Sequence, residues 1–191
     1  VTGVQTCALP ISAAFTTFDE WRDATQAYQA DLLKHHIETL RRLKYSPTGG
    51  FCFFAFNDSM PMVSWSVLDH RRAPKLAYTA VAEACRPVIV VADRLPVRLL
   101  PGEQVTCDVH VVSDLRHSLE DAVVTAILTA GTDVREWKWE GDIGPDECVR
   151  VGAVDFGCPY SEGVVTLDLA VECGDVVATN RYSAGISLSS G

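Results

Sequence analysis

Apolar residues recur at three- and four-residue steps between residues 17 and 45, the spacing of one buried helical face. Thr17 and Glu20 stand in the order of a capping box, in which each side chain accepts a hydrogen bond from the other residue's backbone. Basic residues are frequent at the C-terminal end of the stretch, where positive charge interacts favourably with the helix dipole. Pro47 and the two glycines that follow are expected to end the helix. The pattern predicts a helix near 17–45, in one piece or two.

Six consecutive apolar residues, 51–56, follow these glycines and are bounded by turn residues. An unbroken, aromatic-rich run of this length predicts a strand that is buried on both faces, as parallel strands are. An irregular segment follows over 57–74, and alanine and leucine at helical spacing predict a second helix over 76–85. Helix, buried strand, long loop and helix form the αβα pattern of an α/β barrel.

From residue 87 the sequence becomes β-branched and alternating, with glycine-containing turns between short segments. Seven short strands with turns every 8–12 residues predict a β-sandwich, with a domain boundary near residue 86. Trp137 and Trp139 share one face of a strand, so they are core if buried and a carbohydrate-binding platform if exposed. The predicted strands lie at 87–92, 105–112, 122–129, 135–140, 148–154, 164–171 and 176–183.

The charge of the chain is unevenly distributed. The net charge is −9, yet residues 13–85 are balanced, and residues 86–191 hold eight basic and 17 acidic residues. Phosphate binding needs a surplus of cations, so nucleic acid and anionic lipid are unfavourable partners. No segment approaches the roughly 18 apolar residues of a membrane span. A neutral ligand such as a sugar fits this composition.

The seven cysteines form neither a CxxC pair nor a Cys/His metal-ligand spacing, so no metal and no cofactor is predicted. An odd number of cysteines without a recognisable signal peptide favours reduced thiols and a cytoplasmic location. Cys107 and Cys173 have the separation of an immunoglobulin-type inter-sheet disulfide. The tryptophan that should follow the first cysteine closely is missing, since Trp137 lies thirty residues on, and free thiols are therefore favoured.

Residues 1–12 resemble a translated sequencing adapter and are treated as a non-native leader. Candidate chemistry follows the predicted buried strand, because a barrel strand presents functional residues at its C-terminal end. There Asn57 and Asp58 offer oxygens to sugar hydroxyls, and Trp65 offers an indole face to a pyranose ring. In the alternative interpretation Asp58 caps a turn, Trp65 packs on the barrel rim, and Asp69 pairs with Arg71 or Arg72.

Five pieces of sequence follow one another in a recognisable order: the helix at 28–45, Pro47-Thr-Gly-Gly-Phe51, Phe54-Ala-Phe-Asn-Asp58, Ser64-Trp-Ser-Val-Leu-Asp69 and Pro74-Lys-Leu-Ala-Tyr78. Over residues 18–92 they resemble the last αβα unit of the catalytic domain of glycoside hydrolase family 2 β-mannosidases. The region downstream is similar to the immunoglobulin-like domain that follows the barrel in this family. The resemblance implies a C-terminal segment of a (β/α)8 barrel over 13–86 and an immunoglobulin-like β-sandwich over 87–187.

The resemblance also implies a retaining exo-hydrolase that removes terminal β-D-mannosyl residues with two carboxyl groups. In the family both groups are glutamates on earlier barrel strands, so this chain carries neither, has no catalytic residue and is expected to be inactive alone. Phe54 and Met60 stand where many members carry tryptophan, which leaves the exact sugar open. The substrate-binding residues implied are Phe54, Asn57, Asp58 and Trp65.

Two consequences follow for the chain as given. A single αβα unit cannot close a barrel, so Phe51 and Phe53 are expected to lack partner strands and the first half to fold poorly alone. The sandwich is expected to fold independently. The alternative function is a non-catalytic carbohydrate-binding or interaction β-sandwich module that presents Trp137 and Trp139.

Overall fold

The computed structural model describes residues 15–96 and 98–187. It divides the chain into two compact units. The first unit comprises the residues up to 40 together with 48–85, and the second comprises 41–47 together with the residues from 86 onwards. The leader at 1–12, including Cys7, lies outside the described residues.

Helix α1 is a single element, Phe18–Arg42, and it begins as the capping box predicts. The Glu20 amide donates to Thr17 Oγ1 at 3.2 Å, and the Thr17 amide donates to Glu20 Oε2 at 3.3 Å. The helix ends three residues before the predicted limit, and Tyr45 then adopts a left-handed backbone with φ of 61°. The capping box is therefore confirmed, and the basic residues at 41 and 42 occupy the last turn.

The second predicted helix is confirmed as α2, Leu76–Ala84. Its alanine and valine face packs with α1 and with one residue of the long loop to form the core of the first unit. This core is small, which limits the apolar area that the unit buries. Its buried members are Ile37, Val67, Ala77, Val81 and Ala84, with Ala30, Leu33 and Phe53 packed against them.

The prediction of a buried strand over 51–56 is wrong for the described chain. These residues form no strand, and Phe51, Phe54 and Phe56 are 38%, 83% and 59% exposed. A central strand needs a neighbour on each edge to pair its backbone and to cover its side chains. Here only one short segment approaches, since the Val67 and Leu68 amides donate to the Phe56 carbonyl. A barrel unit is therefore not formed by the residues that the structure describes.

Within residues 86–96 and 98–187 the second unit contains eight strands, and all seven predicted strands are among them. The additional strand, β2, has two residues between Pro96 and Pro101, too few to leave a period in the sequence. The strands are β1 Val88–Ala92, β2 Arg98–Leu99, β3 Gln104–Ser113, β4 Leu119–Ala130, β5 Asp133–Ile143, β6 Cys148–Gly157, β7 Gly163–Cys173 and β8 Val176–Ile186.

The strands form two sheets, in the orders β1-β3-β6 and β2-β8-β7-β4-β5, which confirms the sandwich prediction. All pairings are antiparallel except the one between β2 and β8. Alternate residues of β3, β4 and β7 are buried, as expected for strands with one face in a core. The core takes residues from both sheets, among them Val109, Val111, Val124, Leu128 and Leu167.

Trp137 and Trp139 lie on the core side of β5, opposite Ala126 and Val124 of β4. Both are half-buried and pack against the main core. The indole of Trp139 lies over Gly152 of β6, where an added Cβ would be less than 3.0 Å from three ring atoms. The two tryptophans therefore contribute to the core and do not form an exposed platform.

The segment 41–47 is tied to the second unit by ionic contacts. The Arg41 side chain is 8% exposed and donates to the Arg86 carbonyl at 2.8 Å and to Asp114 Oδ2 at 2.7 Å. Lys44 Nζ lies 2.6 Å from both Asp114 and Asp146. The sandwich strands alone therefore do not make up this unit.

All six described cysteines are free thiols. Cys107 is buried, and burial raises its pKa to about 11, with nearby carboxylates acting in the same direction. Cys173 Sγ donates to the Glu120 carbonyl at 3.1 Å. Among the described residues there is no group of three or more metal-ligating side chains, and no helix is long and apolar enough to cross a membrane.

Candidate functional site

The candidate site lies in the first unit, where three short segments pair through their backbones. The Asp58 amide donates to the Leu68 carbonyl at 3.1 Å, and the Lys75 amide donates to the Val67 carbonyl at 2.9 Å. Isolated bridges join Asn57 to Leu68 and Leu68 to the residue before Lys75. This pairing brings Asp58 beside Lys75, although 17 positions separate them in the sequence.

Asp58 is 6% exposed and has a partner on each carboxylate oxygen. Lys75 Nζ lies 2.9 Å from Oδ2, and the Ser64 hydroxyl donates to Oδ1. Burial alone would raise the pKa of this carboxyl, but hydrogen bonds from Ser64, Lys75 and Ser66 outweigh it and lower the pKa to about 2. Asp58 is therefore an ionised side chain whose oxygens are already engaged.

The same contacts continue through two serines. Lys75 Nζ donates to Ser66 Oγ at 2.8 Å, and Ser66 Oγ donates to the Leu68 carbonyl at 2.8 Å. The Ser66 amide donates to Ser64 Oγ at 3.2 Å. Asp58, Ser64, Ser66 and Lys75 are hereafter called the polar network. Its two serines and its lysine are not among the site residues predicted from the sequence, although Ser-Trp-Ser and Pro-Lys belong to the motifs at 64–69 and 74–78.

The other three predicted site residues are at the surface. Phe54 is 83% exposed and Trp65 is 50% exposed. Asn57 is also exposed, and its Nδ2 donates to the Asp58 carbonyl at 3.1 Å. The structure thus separates the predicted set into one buried carboxylate and three exposed side chains. Further exposed apolar residues lie in the same loop, namely Phe56, Met60, Met62 and Val63.

The alternative predictions for the two aspartates also need correction. Asp69 Oδ1 accepts from the Arg71 amide and from the Ala73 amide, both at 2.8 Å, so it caps a turn with backbone bonds and not through an arginine side chain. Asp58 does not cap a turn, because its carboxylate binds two side chains. The turn after Asp69 includes Arg72 with a φ of 65°.

The arrangement suits ligand contact better than bond cleavage. Retaining glycosidases use two carboxyl groups about 5–5.5 Å apart, one of them protonated in the resting enzyme. The site has one buried carboxylate, held ionised by Lys75 and Ser64. The exposed indole of Trp65 has an apolar face and an N–H donor, which suit the apolar side of a sugar ring and its hydroxyls. These residues therefore contain no acid–nucleophile pair.

Comparison with known proteins finds solved structures that share the fold of this chain. No protein-family model and no curated protein sequence matches the chain. A structure of the exo-chitosanase of Amycolatopsis orientalis, in complex with PNP-β-D-glucosamine, matches with a TM-score of 0.73 and 16% identity over 89% of this chain. A second structure of that exo-chitosanase matches with a TM-score of 0.71 and 15% identity over 93% of this chain.

A third structure is that of the exo-β-D-glucosaminidase CsxA, a name that the exo-chitosanase also carries, with inhibitors. It matches with a TM-score of 0.72 and 16% identity over 89% of this chain. The matches cover 20% of those chains, so this chain spans about a fifth of their length. At this identity the likeness shows a shared fold. The shared fold is that of a segment of the exo-chitosanase chain.

Proposed function

We propose that the chain is the C-terminal part of a retaining exo-glycosidase of family 2 that removes terminal β-D-mannosyl residues. The observation that carries the proposal is the shared fold with the exo-chitosanase over 89% of this chain, at a TM-score of 0.73. The motifs around Asn57 and Trp65 supply the resemblance to β-mannosidases. The acid and the nucleophile are glutamates in a part of the enzyme outside these 191 residues.

The exposed aromatic run supports this proposal. Phe51, Phe54 and Phe56 lie within a run of six apolar residues that lacks strand partners, and more than a third of each of these residues is exposed. Contiguous apolar surface on a soluble protein marks a site that another element covers. In the proposed enzyme other parts of the barrel cover this run, residues 13–86 are a barrel segment, and 87–187 are the immunoglobulin-like domain.

The surface residues have distinct roles in the proposed pocket. Trp65 stacks on the sugar ring, Phe54 forms an apolar wall, and Asn57 faces hydroxyl groups. The choice of β-mannoside rests on the motifs, whereas the exo-chitosanase is in complex with a β-glucosaminide. Met60 in place of the usual tryptophan removes one indole face. The sugar preference and the cytoplasmic location of the enzyme stay predictions.

The first test is the activity of the chain itself. The 191-residue protein should release no product from an aryl β-mannoside or an aryl β-glucosaminide, because it has no acid–nucleophile pair. The product of the intact gene should hydrolyse one of the two. Turnover by the 191-residue chain would contradict the assignment of the glutamates. An intact gene whose upstream codons encode no barrel would contradict the family.

The second test concerns Trp65 in the intact enzyme. Trp65→Ala should lower kcat/KM for the preferred glycoside by roughly tenfold or more, since burying a large apolar side chain against a ligand contributes about 1.5–3 kcal/mol. Trp65→Phe keeps an aromatic face and should retain most of the activity. The matched control is Phe18→Ala, which removes an exposed aromatic side chain at the start of α1. Equal activity of Trp65→Ala and the control would remove Trp65 from the site.

A further inference from the structure

We propose that Lys75 is a positioning residue that fixes the backbone on both sides of Trp65 through the polar network. The proposal deepens the proposed function, because it takes Trp65 as the sugar-contacting residue. It also assigns Asp58 to this network and removes it from the set of direct sugar ligands.

The serines of the network are the two neighbours of Trp65 in the sequence. Ser64 donates to Asp58 Oδ1 and accepts from the Ser66 amide, and Ser66 accepts from Lys75 Nζ and donates to the Leu68 carbonyl. The Trp65 carbonyl accepts from Gln29 Nε2 at 2.6 Å. The main chain is thus held before, at and after the tryptophan, while its side chain remains half exposed.

Lys75 supplies the charge on which these contacts depend. Its side chain is 10% exposed and that of Asp58 is 3% exposed, so neither charge is well solvated. A buried charge that loses its partner is strongly unfavourable and either binds a proton or moves to water. Without Lys75 the carboxylate would turn outwards or become neutral, and its hold on Ser64 would weaken.

Lysine suits this position because one compact ammonium group reaches two acceptors, Asp58 Oδ2 at 2.9 Å and Ser66 Oγ at 2.8 Å. The planar guanidinium of arginine has a different shape and spreads its donors in a fork. The carboxylate oxygens of Asp58 bind Lys75 and Ser64, and with its side chain only 3% exposed the carboxylate offers little surface to sugar hydroxyls. Phe54, Asn57 and Trp65 are the residues of the predicted set that remain exposed.

The test compares amide hydrogen exchange in four forms of the intact enzyme: wild type, Lys75→Met, Asp58→Asn and the double variant. Exchange of peptides spanning 57–68 should accelerate by about tenfold or more in Lys75→Met, because local opening becomes easier. Peptides from α2 and from β7 should be unchanged. The double variant should exchange no faster than the faster single variant, since both act on one contact. Lys138→Met is the matched control, because its ion pair with Glu140 is exposed.

Several results would overturn the proposal. These are unchanged exchange over 57–68 in Lys75→Met, additive effects in the double variant, or equal acceleration in α2, which would show a general folding role. If Lys75→Met fails to fold, Ser64→Ala replaces it: the ion pair then stays, and exchange over 57–68 should still accelerate. Unchanged exchange in Ser64→Ala would also overturn the proposal.

A separate titration keeps this proposal distinct from the proposed function. The rates at which the intact enzyme and its Lys75→Met and Lys75→Arg variants hydrolyse an aryl β-mannoside and an aryl β-glucosaminide are measured as each substrate is titrated. KM should rise several-fold in Lys75→Met, with a partial return in Lys75→Arg. Absence of glycoside turnover in the wild type refutes the proposed function, and the exchange data then test the role of Lys75 without it. A KM in Lys75→Met equal to that of wild type overturns the proposal.

Discussion

Replacing Gly152 with alanine puts a methyl group where the indole of Trp139 now lies. The added Cβ would approach Nε1, Cε2 and Cδ1 of the ring to less than 3.0 Å, a distance that real Cβ contacts do not show. An indole is rigid, so the ring cannot relieve the overlap by bending one end. Either the whole side chain of Trp139 rotates, or strands β5 and β6 move apart.

Both responses lower the free energy of unfolding. Inserting a methyl group into a well-packed core costs about 1–3 kcal/mol. Rotation of the indole would also uncover part of the main core against which Trp139 packs. For a chain of this size each kcal/mol corresponds to roughly 2–4 °C in Tm. We therefore expect Gly152→Ala to lower the Tm of the second unit by several degrees.

The measurement is urea and thermal unfolding of the 191-residue chain, followed by tryptophan fluorescence and by circular dichroism of the β-sheets. The matched control is Gly185→Ala in β8, another strand glycine, where an added Cβ meets nothing within 4 Å. A glycine-to-alanine change in open space stabilises a protein by about 0.4–1 kcal/mol through the unfolded chain. The two variants should therefore differ in sign.

A double variant shows whether the overlap with the indole is the cause. In a Trp139→Leu background the ring is absent, so Gly152→Ala should cost clearly less than in the wild type. The reasoning is refuted if Gly152→Ala is as stable as Gly185→Ala. It is refuted equally if the cost of Gly152→Ala is the same in both backgrounds.

Three further predictions concern other parts of the chain. Arg41→Met should lower the unfolding free energy of the second unit by about 2–3 kcal/mol, because it removes charged hydrogen bonds to the Arg86 carbonyl and Asp114. The control is Arg22→Met, which removes an exposed ion pair, and equal stability of the two variants in urea would contradict this prediction. The pKa of Asp58 is lowered to about 2, so the ionised carboxylate stabilises the fold fully above pH 3.8 and this stabilisation disappears as the pH falls towards about 2. Acid unfolding of Asp58→Asn should not show this loss of stability, and a wild-type curve as flat as that of the variant would refute the prediction. Among the described cysteines, the exposed Cys52 and Cys85 should be alkylated much faster than Cys107, which is buried and has a pKa of about 11. Mass spectrometry of the labelled peptides measures these rates, and labelling of Cys107 at the same rate would contradict its burial.

The sequence by itself determined the elements whose signals are local. The capping box of Thr17 and Glu20 marked the start of α1, and alternation of buried and exposed positions marked the strands of the second unit. These signals are local because caps, helical periods and strand periods act between residues a few positions apart. The charge and cysteine patterns were likewise available without coordinates.

Only the tertiary structure decided features that depend on distant partners. Whether 51–56 is a strand depends on neighbouring backbone that the run itself cannot supply, and in the described chain most of its side chains remain exposed. Whether Asp58 faces a ligand or the interior depends on Lys75, which the pairing of three loop segments brings to 2.9 Å. The placement of Trp139 over Gly152 likewise comes from the contact of two strands, because a side chain's surroundings are set by packing that no short window of sequence contains.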